Sequence, residues 1–348
     1  MLSKDQNQEL GQGSVGLQAG GDIHYGVTAT EARAIALDVA KVTFYELTGT
    51  AKELATVRVE QITDKVIEKL KQDYPEGLQK AIDPDFQYAL HTVQKEYARN
   101  GDEDLADLLV DLLVDRSKQD YRNLEQIVLN ESLATAPKLT NSQLSSLAII
   151  FLFRYTQNNH VLDHESLKQY LNNNVKPFSN SLATSQASFQ HLTFAGCGSS
   201  ELQEFTLEGI LNTTYQGVFL KGNTQEEIES EGINVGKYKS YFISCLNDPT
   251  KLQVNAINVE SLNKRFEMDQ IDQDTRTIIL NIFNNSKFND DETKNLCLKL
   301  APYMSAVFDA WNTSGMSAFS LTSVGIAIGH SNVKRVAGKF SDLSIWVN

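Results

Sequence analysis

The stretch Asp102-Glu-Asp-Leu-Ala-Asp-Leu-Leu-Val-Asp-Leu-Leu-Val-Asp-Arg116 predicts an α-helix. Its leucines and valines recur at intervals of three and four residues, so a helix gathers them on one face. Beside that face runs an acidic stripe formed by Asp104, Asp107, Asp111 and Asp115. Carboxylates in such a row can share a cation, but a solvated face opposite a leucine core explains the stripe more simply. We therefore predict an amphipathic helix whose acidic face lies in water.

Three further helices are predicted on the N-terminal side of this stretch. The first begins after Thr28, which stands at capping-box spacing from Glu31. The second covers about residues 51–72, and the third begins at Asp83-Pro84, an N-cap followed by proline at the first helical position. Helical spacing predicts inward-facing residues Ile35, Val39 and Val42 in the first helix and Leu54, Val57, Ile62 and Val66 in the second.

The centre of the core is predicted on the C-terminal side. Thr140 and Gln143 have capping-box spacing. The helix that they begin is apolar nearly all round over Leu144–Tyr155, which is typical of a helix with no solvent-facing side. Short strands are expected at 217–220 and 238–245.

A last helix is predicted from a Thr322 cap to Val336. Gly325 and Gly329 stand four residues apart on one face of it, which permits close contact with another helix. The tail 343–347, Leu-Ser-Ile-Trp-Val, is expected to dock as a strand or as an apolar plug.

These elements predict a mainly α protein. We expect a multi-helix N-terminal domain and a second, mostly helical C-terminal domain that contains a few short strands. The expected order is a glycine-rich arm or short hairpin at 1–27, a helical domain at 28–158, a linker and loop region at 159–200 and a mixed, mostly helical domain at 201–348.

The acidic composition restricts the possible partners. The 348 residues carry a formal net charge of −13, which repels phosphate backbones unless Lys and Arg gather in one patch. The densest basic cluster, Lys334 and Arg335 with Lys339 nearby, is too small for that purpose. No nucleic-acid binding through a basic patch is therefore expected.

Cysteine usage and hydropathy predict a cytoplasmic protein without a membrane span. Cys197, Cys245 and Cys297 are odd in number and widely spaced, so neither a disulfide framework nor a zinc site is expected. The longest purely apolar run, Leu147–Phe153, is far shorter than the roughly 20 residues that cross a bilayer. The first residues lack the apolar region of a signal peptide.

Motifs for phosphate and metal binding are incomplete. The run Gly232-Ile-Asn-Val-Gly236-Lys237-Tyr238 has three residues between its glycines, whereas a phosphate loop needs four, and Tyr follows the Lys. His160 and His164 have a helical zinc-ligand spacing, but they are expected to straddle a loop and a helix start, without a third ligand. We predict no bound metal and no cofactor.

One cysteine has the local context of a possible nucleophile. Cys197 lies in the glycine-flanked run Ala195-Gly-Cys-Gly-Ser199, and His191 is close to it in sequence. A catalytic cysteine needs a histidine base beside it in space. A plain loop cysteine is the simpler interpretation, so no catalytic residue is assigned.

The segment Gly16-Leu-Gln-Ala-Gly-Gly-Asp-Ile-His24 differs from the rest of the chain. Short segments in which apolar residues and Gln alternate with glycines can stack in register on copies of themselves. Backbone pairing and ladders of Gln side chains then satisfy the polar groups. The segment can also add as a strand to the edge of another protein. Alternatively, it packs as a small hairpin on its own domain. The predicted interaction residues are Leu17, Gln18, Ala19, Gly20, Gly21, Asp22 and Ile23.

Parts of the chain resemble known bacterial sequences. The run Gln18-Ala-Gly-Gly-Asp-Ile-His24 resembles segments that open many bacterial conflict-system proteins. Several other stretches resemble an uncharacterised family of bacterial proteins of similar length. They are the stretch from Thr28 through Phe44-Tyr-Glu-Leu47, and Asp83–Tyr88, Leu108–Arg116, Pro137–Thr140, Leu321–Gly325 and Leu343–Trp346. The resemblance implies a bacterial source and, through the opening run alone, a part in antiviral defence. It supplies no catalytic residues.

The leading hypothesis is a non-enzymatic helical protein that acts by self-association as a homo-oligomer, or by docking to another protein. One alternative is an enzyme, a hydrolase or nuclease, with a site assembled from distant residues. The other is a membrane-acting effector that exposes the 144–155 helix on activation.

Overall fold

The computed structural model describes residues 26–41, 47–338 and 340–348. Helices predominate there, which confirms the mainly α expectation. The helices are α1 (Ala29–Lys41), α2 (Gly49–Asp73), α3 (Pro84–Asn100), α4 (Glu103–Ser117), α5 (Leu124–Thr135), α6 (Asn141–Tyr155), α7 (His164–Tyr170), α8 (Gln186–Phe194), α9 (Leu207–Thr214), α10 (Gln225–Ser230), α11 (Val259–Met268), α12 (Gln273–Asn285), α13 (Asp290–Leu300), α14 (Met304–Thr313) and α15 (Ser323–Ala337). The strands are β1 (Gly198–Ser200), β2 (Phe242–Ser244), β3 (Leu252–Val254) and β4 (Phe319–Leu321).

The described chain divides into two compact units. The first contains the described residues up to Ala106 together with Leu113–Asp120, and the second contains Asp107–Leu112 and Tyr121–Asn348.

Local capping signals set the helix starts in the first unit. The Thr28 backbone N–H donates to the Glu31 carboxylate at 2.9 Å, and the Glu31 N–H donates to the Thr28 hydroxyl at 3.2 Å. The Asp83 carboxylate accepts from the Phe86 N–H at 2.9 Å, with Pro84 at the first position of α3. Both predicted helix starts are thereby confirmed.

The buried face of α1 differs from the predicted one. Ala32, Ala36 and Ala40 are its buried residues, whereas Ile35 and Val39 are only partly covered. Val42 lies outside the described residues. Small alanine side chains let backbones approach closely, and Ala40 accordingly packs with residues of α2 and α3. The prediction was wrong because it chose the largest apolar side chains of α1. The buried positions lie one residue further along the sequence.

The start of α2 shows a related correction. Ile62 and Val66 are buried as predicted, but the side chains of Leu54 and Val57 are each 51% exposed. Ala55 and Val59 take their place in the core. The prediction for Leu54 and Val57 was wrong because it assigned the buried face at the start of α2 to the largest apolar side chains.

The acidic face of α4 is not solvated along its whole length. Asp104 is exposed in the first turn, but Asp111 and Asp115 are only 7% and 6% exposed. The Asp115 carboxylate accepts from Lys118 Nζ at 2.6 Å. Buried carboxylates need such charged or hydrogen-bonded neighbours. The expectation of an entirely water-facing stripe was therefore wrong, since α4 is buried around its circumference beyond the first turn.

In the second unit, α6 and α15 form the centre of the core. The capping box of Thr140 and Gln143 is present, and every residue of Ser146–Phe153 is buried. The Leu147 carbonyl oxygen lies 2.9 Å from the position that a Cβ would take on Gly329. The predicted central helix and the predicted close contact of the α15 glycines are confirmed.

Two small antiparallel sheets lie in this unit, as β1 paired with β4 and β2 paired with β3. The predicted strand at 238–245 contains β2. The prediction for 217–220 was wrong: these residues form a turn that ends in a single bridge between Leu220 and Lys287. The Gly217 N–H donates to the Ile257 carbonyl, so this backbone is bonded without belonging to a sheet.

The C-terminal tail docks as an apolar plug. Leu343–Ile345 forms a 3₁₀ turn, and Leu343 and Val347 are 3% and 2% exposed. Trp346 Nε1 donates to the Tyr155 carbonyl at 2.8 Å. The sequence allowed the tail to dock as a strand or as an apolar plug, and the tail forms the plug.

Candidate binding groove

A groove of about 1110 Å³ opens on the second unit. Three segments line it: the end of α6 with the following loop, residues 152–160; the last residue of α7 with the turn that follows, 170–174; and, far away in sequence, the end of α15 with the tail, 336–346. Concave surfaces that combine aromatic side chains with a few polar groups are the usual binding sites of proteins.

A π-helical turn builds the polar wall. Residues Leu171–Val175 continue α7 as a π-helix. Leu171 and Val175 are buried, while Asn172, Asn173 and Asn174 line the groove. Single π-helical turns are rare and occur frequently at functional sites, because the wider turn directs side chains that a regular helix would place elsewhere.

Four amide side chains of the groove lining, three in this turn and one in the loop after α6, are free to bind a ligand. Those of Asn159, Asn172, Asn173 and Asn174 make no hydrogen bond to any residue that the structure describes. The carbonyl oxygen of the Asn158 amide, in contrast, accepts from the His160 N–H at 3.0 Å. Each free amide offers two donors and one acceptor. The wall therefore suits a ligand that both donates and accepts.

Another part of the groove lining is aromatic and belongs to the C-terminal tail. The rings of Phe340 and Trp346 stack with centroids 6.2 Å apart. Beneath them lies His330, 1% exposed, whose ring centroid is 5.6 Å from that of Trp346. His330 Nε2 donates to the Ser341 carbonyl at 2.7 Å, which ties the tail to α15. Stacked rings of this kind form a rigid apolar surface.

No Asp, Glu, Lys or Arg occurs among the described residues that line the groove. Two buried tyrosines are also neutral: burial raises the pKa of the phenol of Tyr170, which lines the groove, well above its usual range, and burial likewise raises the pKa of Tyr215. Tyr215 accepts from the Asn158 N–H at 3.2 Å. In a chain of net charge −13, the groove is thus a hydrogen-bonding surface without acidic, lysine or arginine side chains, and its lining includes one imidazole, that of His160.

The candidate nucleophile Cys197 is not built for catalysis. Its side chain is fully buried, and this burial raises the pKa of its thiol to about 12. His191 Nδ1 instead lies 3.0 Å from Gln143 Nε2, and no hydrogen bond joins His191 to Cys197 in the described structure. Because the thiolate is the reactive form, the simpler interpretation of Cys197 as a structural cysteine is the better one.

We predict that the native thiols resist alkylation. Cys197, Cys245 and Cys297 are all buried, and burial also raises the pKa of Cys297 to about 12. Iodoacetamide at mildly alkaline pH should therefore leave the folded protein unlabelled and should modify all three cysteines after denaturation. Intact-mass spectrometry measures both. Rapid single labelling of the folded chain would contradict this arrangement.

The histidine pair and the acidic stripe do not come together as a metal centre. His160 lies in a loop and His164 is the first residue of α7, as expected. His164 Nε2 lies 2.9 Å from the Asn247 side-chain oxygen. In the described ranges, no group of three or more His, Cys, Asp or Glu residues is placed to hold a metal ion.

The predicted interaction residues Leu17–Ile23 lie outside the described residues. Sequence reasoning did not single out the groove residues Asn172–Asn174 and Trp346. The local signal for this site is the run of three consecutive asparagines, within the stretch 157–200, which is rich in Asn, Ser and Thr.

A family model with the description “:-like” matches residues 26–347. The chain belongs to this uncharacterised family. The matched range contains every groove segment and begins after Leu17–Ile23. No curated protein and no solved structure matches the chain. Among the residues described, no helix has the length and apolar character needed to cross a membrane.

Proposed function

We propose that this chain is a non-enzymatic protein that acts by self-association or by docking to a partner protein. The observation that carries the proposal is the uncharged groove with its four free amides and its aromatic wall. Acid–base chemistry needs a titratable group with a tuned pKa at the site, and the imidazole of His160 has no Asp, Glu or Cys beside it in the described lining. Recognition needs shape, donors and acceptors. This groove supplies the second set of properties.

The segment Leu17–Ile23 is the proposed interaction element. Its short side chains and glycines leave the backbone accessible for pairing with another chain, and its glutamine can add side-chain hydrogen bonds. It precedes the part of the chain that the family model matches. This arrangement supports an appended element whose task is association.

We further propose that the protein acts in the bacterial cytoplasm as a component of antiviral defence. This setting is supported by the resemblance of Gln18–His24 to the openings of conflict-system proteins.

Changing one glutamine tests the association. We expect the wild-type chain to form species heavier than the 38.8 kDa monomer, and Gln18→Glu to reduce this self-association at least about tenfold, because a carboxylate must be desolvated when the segment is covered. The control is Gln8→Glu, the same change outside the segment. Light scattering after size exclusion measures the masses. Equal assembly of the Gln18→Glu and Gln8→Glu variants would refute the assigned segment.

A further inference from the structure

We propose that the groove of one molecule binds residues 11–21 of a second molecule, so that copies assemble head to tail. This inference rests on the proposed function and names the partner of the groove. It combines two features from different parts of the chain: an uncharged groove and an uncharged segment.

The absence of charged side chains identifies this segment as the occupant of the groove. Residues 11–21 read Gly-Gln-Gly-Ser-Val-Gly-Leu-Gln-Ala-Gly-Gly and carry no charged side chain, although 22% of the whole chain is charged. Glu9 and Asp22 stand just outside it, so the groove takes up only the Leu17–Gly21 part of the interaction element Leu17–Ile23, and the Asp22 carboxylate stays in water. A charged peptide would lose hydration in the groove without gaining an ionic partner. An uncharged segment avoids this cost.

Hydrogen bonding fits the same occupant. Five of the eleven residues are glycines, which have no side chain to cover their backbone N–H and carbonyl groups. These groups need partners when they are removed from water. The free amides of Asn159 and of Asn172–Asn174 offer both donors and acceptors. An amide wall is therefore a suitable receptor for a glycine-rich backbone.

The apolar contacts complete the match. The segment contains two large apolar side chains, Val15 and Leu17. The groove offers the rings of Phe340 and Trp346, and Ile345 beside them has 61% of its surface exposed. Covering these surfaces supplies the nonpolar part of the binding energy.

Size also favours a peptide over a small molecule. The groove volume of about 1110 Å³ lies above the range of about 300–1000 Å³ of ordinary small-molecule sites. A chain segment can occupy such an open groove along its length. A segment that enters a different surface of the next copy makes a heterologous contact, which generates rings or open chains of molecules.

Two isosteric variants of the full-length chain test the arrangement. Gln18→Glu blocks the segment, and Asn173→Asp places a negative charge in the groove. Asn173 is exposed, so its change should leave the fold intact, which near-UV circular dichroism checks. Asn263→Asp, at an exposed position of α11, is the matched control for the groove, and Gln8→Glu is the control for the segment.

Each blocked variant alone should be a monomer, and both controls should assemble like the wild type. An equimolar mixture of the Gln18→Glu and Asn173→Asp variants should form a 1:1 complex of twice the 38.8 kDa chain mass. The intact segment of one then meets the intact groove of the other, while the two negative charges prevent further growth. Analytical ultracentrifugation measures all six samples, the wild type included.

The inference is overturned if the Asn173→Asp variant assembles like the wild type, or if the mixture remains monomeric. Loss of assembly in the Gln18→Glu variant alone would show that segments pair with each other, and the proposed function would survive. If neither variant changed the assembly, the assignment of residues 17–23 would fail as well.

Discussion

Replacement of Gly325 by alanine is expected to destabilise the second unit by about 2 kcal/mol net. A Cβ at this position would lie 1.9 Å from the Cys197 carbonyl oxygen, which is backbone and cannot rotate away. The Thr322 N–H donates to the same carbonyl at 3.1 Å, so moving it would break a further bond. Overpacking costs about 3 kcal/mol here, and the better helix propensity of alanine returns about 1 kcal/mol.

Thermal unfolding followed by circular dichroism measures this effect. The midpoint of the Gly325→Ala variant should fall by about 4–8 °C. Gly236→Ala is the matched control, because Gly236 is exposed and its nearest neighbour is the Asn234 side-chain oxygen at 3.2 Å. Equal midpoints for the two variants would show that α15 does not approach Cys197 as closely as described.

The second large effect is expected at Phe151, which is fully buried in α6. Its ring lies 5.0 Å from the Trp346 ring and 5.9 Å from that of His330, between centroids. Phe151→Ala should cost about 3–5 kcal/mol, because the transfer energy is lost and a cavity remains. Phe194→Ala removes the same side chain from a position that is 89% exposed and should change stability by less than about 0.5 kcal/mol.

Tryptophan fluorescence adds a local measurement to the unfolding curve. The chain has two tryptophans. Trp311 is fully buried, whereas Trp346 belongs to the docked tail. Without the Phe151 ring, the tail should loosen and the emission should shift to the red before global unfolding. If the emission and stability of the Phe151→Ala and Phe194→Ala variants were alike, the tail would not be anchored by this ring.

Local signals made the helix starts predictable. Thr140 with Gln143, and Asp83 with Pro84, specify their caps within four residues, and the structure has both. The glycines of α15 were also informative, since their spacing on one face depends only on helix geometry. Such features could be predicted because the residues that decide them are close in sequence.

Burial was harder to predict where packing partners decide it. The buried alanine face of α1 and the buried Asp111 of α4 depend on neighbouring elements whose positions no local pattern specifies. The groove was the hardest feature to predict from local sequence. Asn173 and Trp346 meet only after folding, across more than half the length of the second unit, and no spacing rule connects them.

Self-association is the central claim, and sedimentation velocity of the full-length wild-type chain over a wide range of concentrations tests it most directly. We predict that the weight-average mass rises with concentration above the 38.8 kDa of one chain and that the Gln18→Glu variant stays at that value. A wild-type mass that remains 38.8 kDa at every concentration would contradict assembly through residues 17–23.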